Sequence, residues 1–513
     1  MVKKTSSLVY NTVFILSCLF AGPAMASVGL YVGSDLTEDG SVLLGGYGDE
    51  PSSHWIEVVP GVKHEPGATL CVGITEDARF PGVRFGIPQS SETFKYIAVK
   101  YSSYAGYPAP LENGGLNEHN VAARDIWSPS RSELVDMTPD PQKGLSYSDL
   151  SRIAMERASS AREAAEIVGR LVDEHGYATY GGNSHLFADV TEGWVLIEFA
   201  GGQGLWVAER LGSDEVRVSR PGYIGEIPDN YQEHPDFMGS DNLISFAVER
   251  GWYDPDRDGP FNVNRVYGTD RQPEVPGIQM RDDIVEKMEE WLSQKAPVSL
   301  EDMKEAVRST IITGQTAGYG TVAHLRDDVP AELRTLWATV SPALTSPFVP
   351  YYIGMEDVPV EFKWGRYLSV DESDGFLPQQ LQVQEATRYA YHTFKRLFYA
   401  VDAPREAAGT EWPDEEAFSE RFNMFYPEVH RTLNAFEQMM REDQKEKVEK
   451  TAGTLLQAGE RELANAYLTD YSNTHSLRAL EIVSTLTRSI ELRSSLLFER
   501  PEYSADEIYR DLR

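Results

Sequence analysis

Cysteine is nearly absent. The 513-residue chain carries two, Cys18 and Cys71, so no disulfide framework holds the fold. Metal and nucleotide motifs are missing as well. Ten histidines are scattered without His-Glu-x-x-His spacing, no Cys-x-x-Cys occurs, and there is no Walker loop. Positive charge is in short supply: 47 Lys and Arg stand against 80 Asp and Glu, a net charge of -33. That surplus would be repelled by a phosphate backbone, which excludes nucleic acid as a natural partner. Past the first two dozen residues no stretch of 18 apolar residues occurs, so none reads as a membrane span. What is present is ordinary for a folded protein: 41% apolar and 25% charged residues, with 26 Tyr and 9 Trp. That content excludes disorder along most of the chain.

The first 26 residues read as a targeting segment. MVKK is a short basic start, an apolar stretch runs from Leu8 to Gly22, and Ala24-Met25-Ala26 fits the small-x-small rule for signal peptidase. Cleavage there predicts an exported protein, periplasmic or secreted, with no stable membrane insertion. A second site competes: Ile15-Leu16-Ser17-Cys18 is a poor lipoprotein-type match, with Leu where a small residue is preferred. Loss of Cys18 leaves Cys71, whose neighbours Leu70 and Val72 predict a buried, inert thiol.

A cut after Ala26 gives Ser27 a free α-amine. The hydroxyl is then a nucleophile whose own amine, with a pKa near ~8, can take the proton. No histidine or triad is needed. The following residues predict order at that terminus. Ser27 to Gly33 reads as one strand, Glu38-Asp39-Gly40 as a turn and Ser41 to Gly46 as a second strand. A terminus tied into a sheet is what a positioned nucleophile requires.

Residues 27–378 mix short strands with helices. Ser146-x-x-Asp149 and Ser160-x-x-Glu163 are capping-box patterns, each followed by apolar residues at helical spacing, with Gly176 ending the second helix. His185 to Asp189, Trp194 to Phe199 and Gly204 to Arg210 read as strands, and Trp194 and Trp206 as core residues. Residues 379–513 read as a helical C-terminal region packed on that core, with helices over Val383 to Val401, Glu415 to Leu468 and Thr474 to Leu497. The charged run Arg441 to Lys450 reads as a solvated helix face. Asp254-x-Asp256-x-Asp258-Gly259 matches half of an EF-hand loop, but Arg265 stands where a bidentate Glu belongs. A polar turn is the reading, with no metal and no cofactor predicted.

Several segments together resemble the PepD-type dipeptidases, a branch of the N-terminal-nucleophile hydrolases related to bile-salt hydrolase and penicillin V acylase. They are Asp39-Gly40-Ser41 with Asp49, Leu116 to Ala122 (LNEHNVA), Glu156-Arg157-Ala158, His185 to Asp189, Trp194 to Glu198, Gly251 to Pro255, Val266 to Gly268, Ser346 to Tyr352 and Leu468 to Ser472. They run in order along nearly the whole chain after residue 26. The resemblance implies an α+β fold, an αββα sandwich, and hydrolysis of dipeptides, with a small peptide as partner. Oligomeric state stays open. Two departures stand out. The family's usual nucleophile is Cys, where this chain has Ser27. Its second strand usually reads Arg-Asn-x-Asp, where this chain has Gly46-Tyr47-Gly48-Asp49, so the Arg beside the nucleophile is lost.

The candidate site residues follow. Ser27 is the nucleophile. Asp49 either holds the Ser27 ammonium or a substrate amine, or shapes a turn. The Asn117 amide either donates to an oxyanion or forms a turn. Arg220 is a candidate replacement for the charge lost at position 46. Two alternatives remain beside the dipeptidase: an N-acyl amide hydrolase on the same fold, and a non-catalytic binding protein with a decayed site.

Overall fold

The computed structural model describes residues 27–48, 53–102, 107–108, 110–219, 221–268, 282–314, 317–363, 389–404 and 418–498. The targeting segment, Asp49, Arg220 and the boundary at 378/379 lie outside the described residues.

Val28–Val32 (β1) and Val42–Gly48 (β2) form the hairpin that the sequence predicts, with Val28 opposite Tyr47 and Val32 opposite Leu43. Its turn is fixed chemically. The Asp39 carboxylate accepts from the Ser41 N–H and hydroxyl, Thr37 Oγ1 donates to the Ser41 carbonyl, and Gly40 takes φ 73°.

Two antiparallel sheets carry the core. The remaining strands, in chain order, are His54–Val59 (β3), Tyr96–Tyr101 (β4), Leu116–Asn117 (β5), Ala122–Ile126 (β6), Asn183–Ala188 (β7), Gly193–Glu198 (β8), Trp206–Leu211 (β9), Val216–Ser219 (β10), Phe237–Gly239 (β11), Tyr319–Leu325 (β12), Thr335–Thr339 (β13) and Val349–Tyr352 (β14). The first sheet has the order β10-β1-β2-β12-β13-β14 and the second β11-β9-β8-β7-β6-β5-β4-β3, with Leu111–Glu112 also paired to β4. Helices Tyr147–Arg157 (α1) and Ala161–His175 (α2) cover the outer face of the second sheet. Helices Asp282–Lys295 (α3) and Leu300–Val307 (α4) cover the outer face of the first. Inside, β1 and β2 meet β6. The order helix, sheet, sheet, helix is the αββα sandwich that the resemblance implies.

The helix ends explain themselves. Ser146 and Asp149 close a complete capping box on α1. Ser160 caps α2, but the Glu163 carboxylate turns to the Ser159 N–H and hydroxyl instead, so only half of that box forms. Gly176 ends α2 at φ 82°. Trp194 is fully buried and Trp206 nearly so, as core residues should be.

Helices Ala390–Ala400 (α5), Glu420–Asp443 (α6), Glu449–Gln457 (α7) and Arg461–Leu497 (α8) make up the described C-terminal region and pack on this core. Among the described residues no helix is long and apolar enough to cross a membrane.

Three expectations need correction. Helix α8 runs unbroken through Leu468 and Thr474; the break falls at Gly459, where φ is 82°. The charged run from Arg441 is not a purely solvated face: Gln444 and Val448 are buried, and Gln444 Nε2 donates to Thr335 Oγ1. Arg441 itself reaches Asp39 at 3.5 Å. Cys71 is exposed, because strand alternation in the Thr69–Gly73 ribbon turns Val72 inward and Cys71 out. The Asp254 to Gly259 segment is the polar turn expected, its carboxylates engaged by the Asp254 N–H and by Arg257.

Candidate active site

Ser27 is buried and stands immediately before β1, a central strand held on both sides, by β10 through Gly29–Ser219 and by β2 through Gly29–Gly46. The residue before such a strand is positioned by the sheet, not by a loop.

Strand β2 alternates between two neighbours. Gly45 faces α4, where a Cβ would come within 2.9 Å of Met303 Sδ. Gly46 faces the second sheet at φ 147°, and a Cβ there would sit 2.0 Å from the Val28 carbonyl oxygen and 3.0 Å from Arg124 Nε. No side chain fits at 46 without moving the backbone of β1. This is the physical content of the missing Arg: glycine is required by the approach of β1, and a guanidinium already occupies the adjoining space.

That guanidinium reaches across from β6. Arg124 is 2% exposed. Its Nη1 donates to Thr321 Oγ1 at 2.5 Å and its Nη2 to the Tyr319 hydroxyl at 3.4 Å, with the Tyr319 ring 5.0 Å beneath. Thr321 and Tyr319 lie opposite Gly46 and Gly48 in the β12–β2 pairing, so Arg124 caps the glycine stretch that leads to Asp49. The sequence carries a sign of this. On a strand with period two, Arg124 shares a face with Ala122 and Ile126, a lone charge on an apolar stripe.

An aromatic wall stands beside it. His54 stacks at 5.3 Å on Tyr101, lies 5.2 Å from Tyr319 and 5.7 Å from Tyr391 of α5. The Tyr101 hydroxyl donates to Asn113 Oδ1 and lies 2.8 Å from the Tyr147 hydroxyl. Burial pushes the Tyr391 hydroxyl up to about 12, so it stays neutral. Beyond Ser219, the Gly222 N–H donates to Ser128 Oγ, which meets Ser184 Oγ at 2.7 Å. A cavity of about 590 Å³ opens on this side, lined in part by Arg217, Pro221, Tyr223 and Glu289.

Asn117 does not present its amide to this space. Its Nδ2 donates to the Met155 and Ala158 carbonyls at the end of α1, and its Oδ1 accepts from the His119 and Val121 N–H groups. With both donors and the acceptor engaged, its bonds match the turn role and leave nothing for an oxyanion. Asn120, at φ 65°, completes that turn. The buried His185–Glu198 pair, at 2.8 Å, lies on the helix side of the second sheet, against Ser151 of α1, and is separate from Ser27. Among the described residues no group of three or more His, Cys, Asp or Glu could hold a metal ion.

Residues 82–276 match the sequence profile of Peptidase family C69. The matched span begins after Ser27 and its hairpin. A probable dipeptidase of Salmonella dublin is 25% identical over 50% of this chain and 57% of its own length. A probable dipeptidase B of Streptococcus pyogenes serotype M3 is 22% identical over 64% of this chain and 72% of its own. A mutant of conjugated bile acid hydrolase from Clostridium perfringens covers 64% of this chain and 93% of that one at 10% identity, with a TM-score of 0.29, too low to bear on the fold.

Proposed function

From its kinship with the PepD-type dipeptidases, we propose that this chain is an exported dipeptidase in which Ser27, freed by cleavage after Ala26, is the nucleophile. The observation that carries the reading is the placement of Ser27 at the head of a central, doubly paired strand, one residue from the point where Gly46 and Arg124 meet. The family match and the relatives' names support a peptidase acting on short peptides.

The chemistry follows from an amine base. The neutral α-amine of Ser27 takes the hydroxyl proton as Oγ bonds to the scissile carbonyl carbon. Charge gathers on the carbonyl oxygen, where backbone N–H groups stabilise it. The protonated amine hands its proton to the leaving nitrogen as the C–N bond breaks. Water, activated by the same amine, then releases the acyl group from Oγ. Asp49 is assigned to the substrate's free amine. Since protonated amine cannot act as base, turnover falls as pH drops below the amine's pKa.

Terminal sequencing of the exported protein tests the first step, and a start at Ser27 is expected. A start at Cys18, or an intact targeting segment, overturns the mechanism. Ser27→Ala should lose at least about 10³-fold in dipeptide turnover while Ser27→Cys retains activity. Normal turnover by the Ala variant would remove Ser27 from the reaction.

A further inference from the structure

Among the described residues Arg124 is a buried cation without a counter-charge. Other buried arginines are neutralised by carboxylates: Arg308 meets Glu437 at 2.6 Å, and Arg131 meets Glu133 at 2.6 Å. Arg124 has neutral partners only, Thr321 and Tyr319, and its Nε has no hydrogen-bond partner. Among the described residues no carboxylate pairs with it. Desolvating a guanidinium without an anion is unfavourable, so a group kept in this state is suited to an anion that arrives from outside.

Its position says which anion. Arg124 Nε and the Val28 carbonyl crowd the same point above Gly46, and Val28 adjoins Ser27. In a dipeptide the free C-terminal carboxylate lies one residue from the scissile carbonyl, a reach of about 3.5 Å along an extended chain. A carbonyl held at Ser27 therefore brings that carboxylate within reach of the guanidinium, whose planar fork suits a carboxylate better than a point charge would. The opposite sheet thus supplies a cation that β2, with glycine at 46, has no room to carry.

We propose that Arg124 is the carboxylate-binding group of the Ser27 site and selects short peptides with a free C-terminus. This rests on Ser27 as the nucleophile. The substrate class follows: dipeptides are preferred over dipeptide amides and over longer chains, whose carboxylate lies farther from the scissile bond.

The test is the ratio of kcat/KM for alanyl-alanine to that for its C-terminal amide. The wild-type protein should favour the free acid at least about tenfold. Arg124→Met should collapse that ratio to near one, and Arg124→Lys should give an intermediate value, as expected from loss of a charged hydrogen-bonding fork. Thermal melting separates this role from a structural one. Removing a cation that has no carboxylate partner strands no anion, so Arg124→Met should melt at or above the wild-type temperature. If Arg124→Met fails to fold, the Lys variant decides, and an unchanged ratio there overturns the proposal. A ratio preserved in Arg124→Met, or equal losses on acid and amide, also overturns it. A second measurement is independent of turnover. Calorimetry on Ser27→Ala should show tighter binding of alanyl-alanine than of its amide, with the difference abolished in Ser27→Ala/Arg124→Met. Equal binding by the Ser27→Ala protein refutes the proposal. Persisting turnover in Ser27→Ala refutes the nucleophile instead, while the calorimetric comparison still decides on Arg124.

Discussion

Strands β2 and β8 are both buried along their whole length in facing sheets. Strand β8 fills its surroundings with its own side chains, Trp194 toward α2 and Val195 and Ile197 toward the facing sheet. Strand β2 packs core at Val42, Leu43, Leu44 and Tyr47 but carries glycine at 45, 46 and 48, where it supplies no side-chain volume. At Gly45 and Gly46 the volume is imported: Met303 and Val307 from α4 on one face, Arg124 from β6 on the other. A strand that supplies its own volume builds core. A strand that gives up its volume lets a charged group from another layer approach the backbone, and the candidate nucleophile starts the strand beside it. The candidate site lies where the sheet carries glycine.

The strongest way to break that contrast is to put a methyl group into the glycine stretch of β2. Gly46→Ala forces a Cβ to within 2.0 Å of the Val28 carbonyl at φ 147°. It should cost about 3–5 kcal/mol, read by chemical denaturation. Gly86→Ala is the control, since its Cβ meets nothing nearer than 3.8 Å, and should change stability by less than about 0.5 kcal/mol. Equal effects of the two would show that β2 is merely glycine-rich, not held against its neighbours.

Asn117→Ala tests whether the candidate oxyanion donor belongs to the site or to the frame. It strands two carbonyls at the end of α1 and two N–H groups of the following turn. A loss of about 2–4 kcal/mol is expected, with turnover per folded molecule unchanged. A large drop in kcat at wild-type stability would return Asn117 to the chemistry.

On the filled side, Gly169 of α2 lets the Trp206 ring in, and a Cβ there would lie 2.4 Å from it. Gly169→Ala should displace that ring from its 2.8 Å bond to Asp173. The expected cost is about 1–3 kcal/mol with no change in substrate preference. A changed preference would mean that packing on the helix-covered outer face of the second sheet reaches the site.

The smallest effect is a slope. His475 of α8 is packed between Tyr471 and Phe436, and burial, reinforced by Arg478, lowers its pKa to about 4. The folded ring stays neutral while the unfolded ring gains a proton below about 6.5, so the unfolded state binds more protons in that interval. Stability should fall as pH drops from about 6.5 to about 4 and level off below. His475→Phe should flatten that part of the denaturation profile. An unchanged slope would place the acid sensitivity elsewhere.

Much of the frame could be read from the chain because it is local. The β1–β2 turn, the Ser146 capping box and the Gly176 helix end all follow from residues within a few positions of one another. The helical C-terminal region was legible from its periodicity, although its breaks were not. The break at Gly459 needs one glycine at positive φ, whereas the stretch from Leu468 to Thr474, left between two expected helices, is helical throughout. Candidate chemistry was harder to place. The absence of Arg at position 46 could be seen in sequence, but its cause could not. That cause is a carbonyl from one strand and a guanidinium from the other sheet, 78 positions away in numbering, crowding the same point. The engagement of the Asn117 amide was hidden for a similar reason: its partners Met155 and Ala158 come from α1. Cys71 was misjudged because apolar neighbours in sequence say nothing about which face of a ribbon is covered.

Strand β14 ends the first sheet and would ordinarily offer a row of open backbone groups to any passing strand. Here Pro350 has no N–H to give, and its carbonyl accepts the Ser472 hydroxyl from α8, while Tyr351 and Ser476 meet 3.1 Å apart alongside. The long terminal helix therefore works as a seal against self-association. Aggregation-prone variants of this protein should arise from substitutions that loosen α8 from β14, far from Ser27 and with catalysis intact in the molecules that remain dispersed.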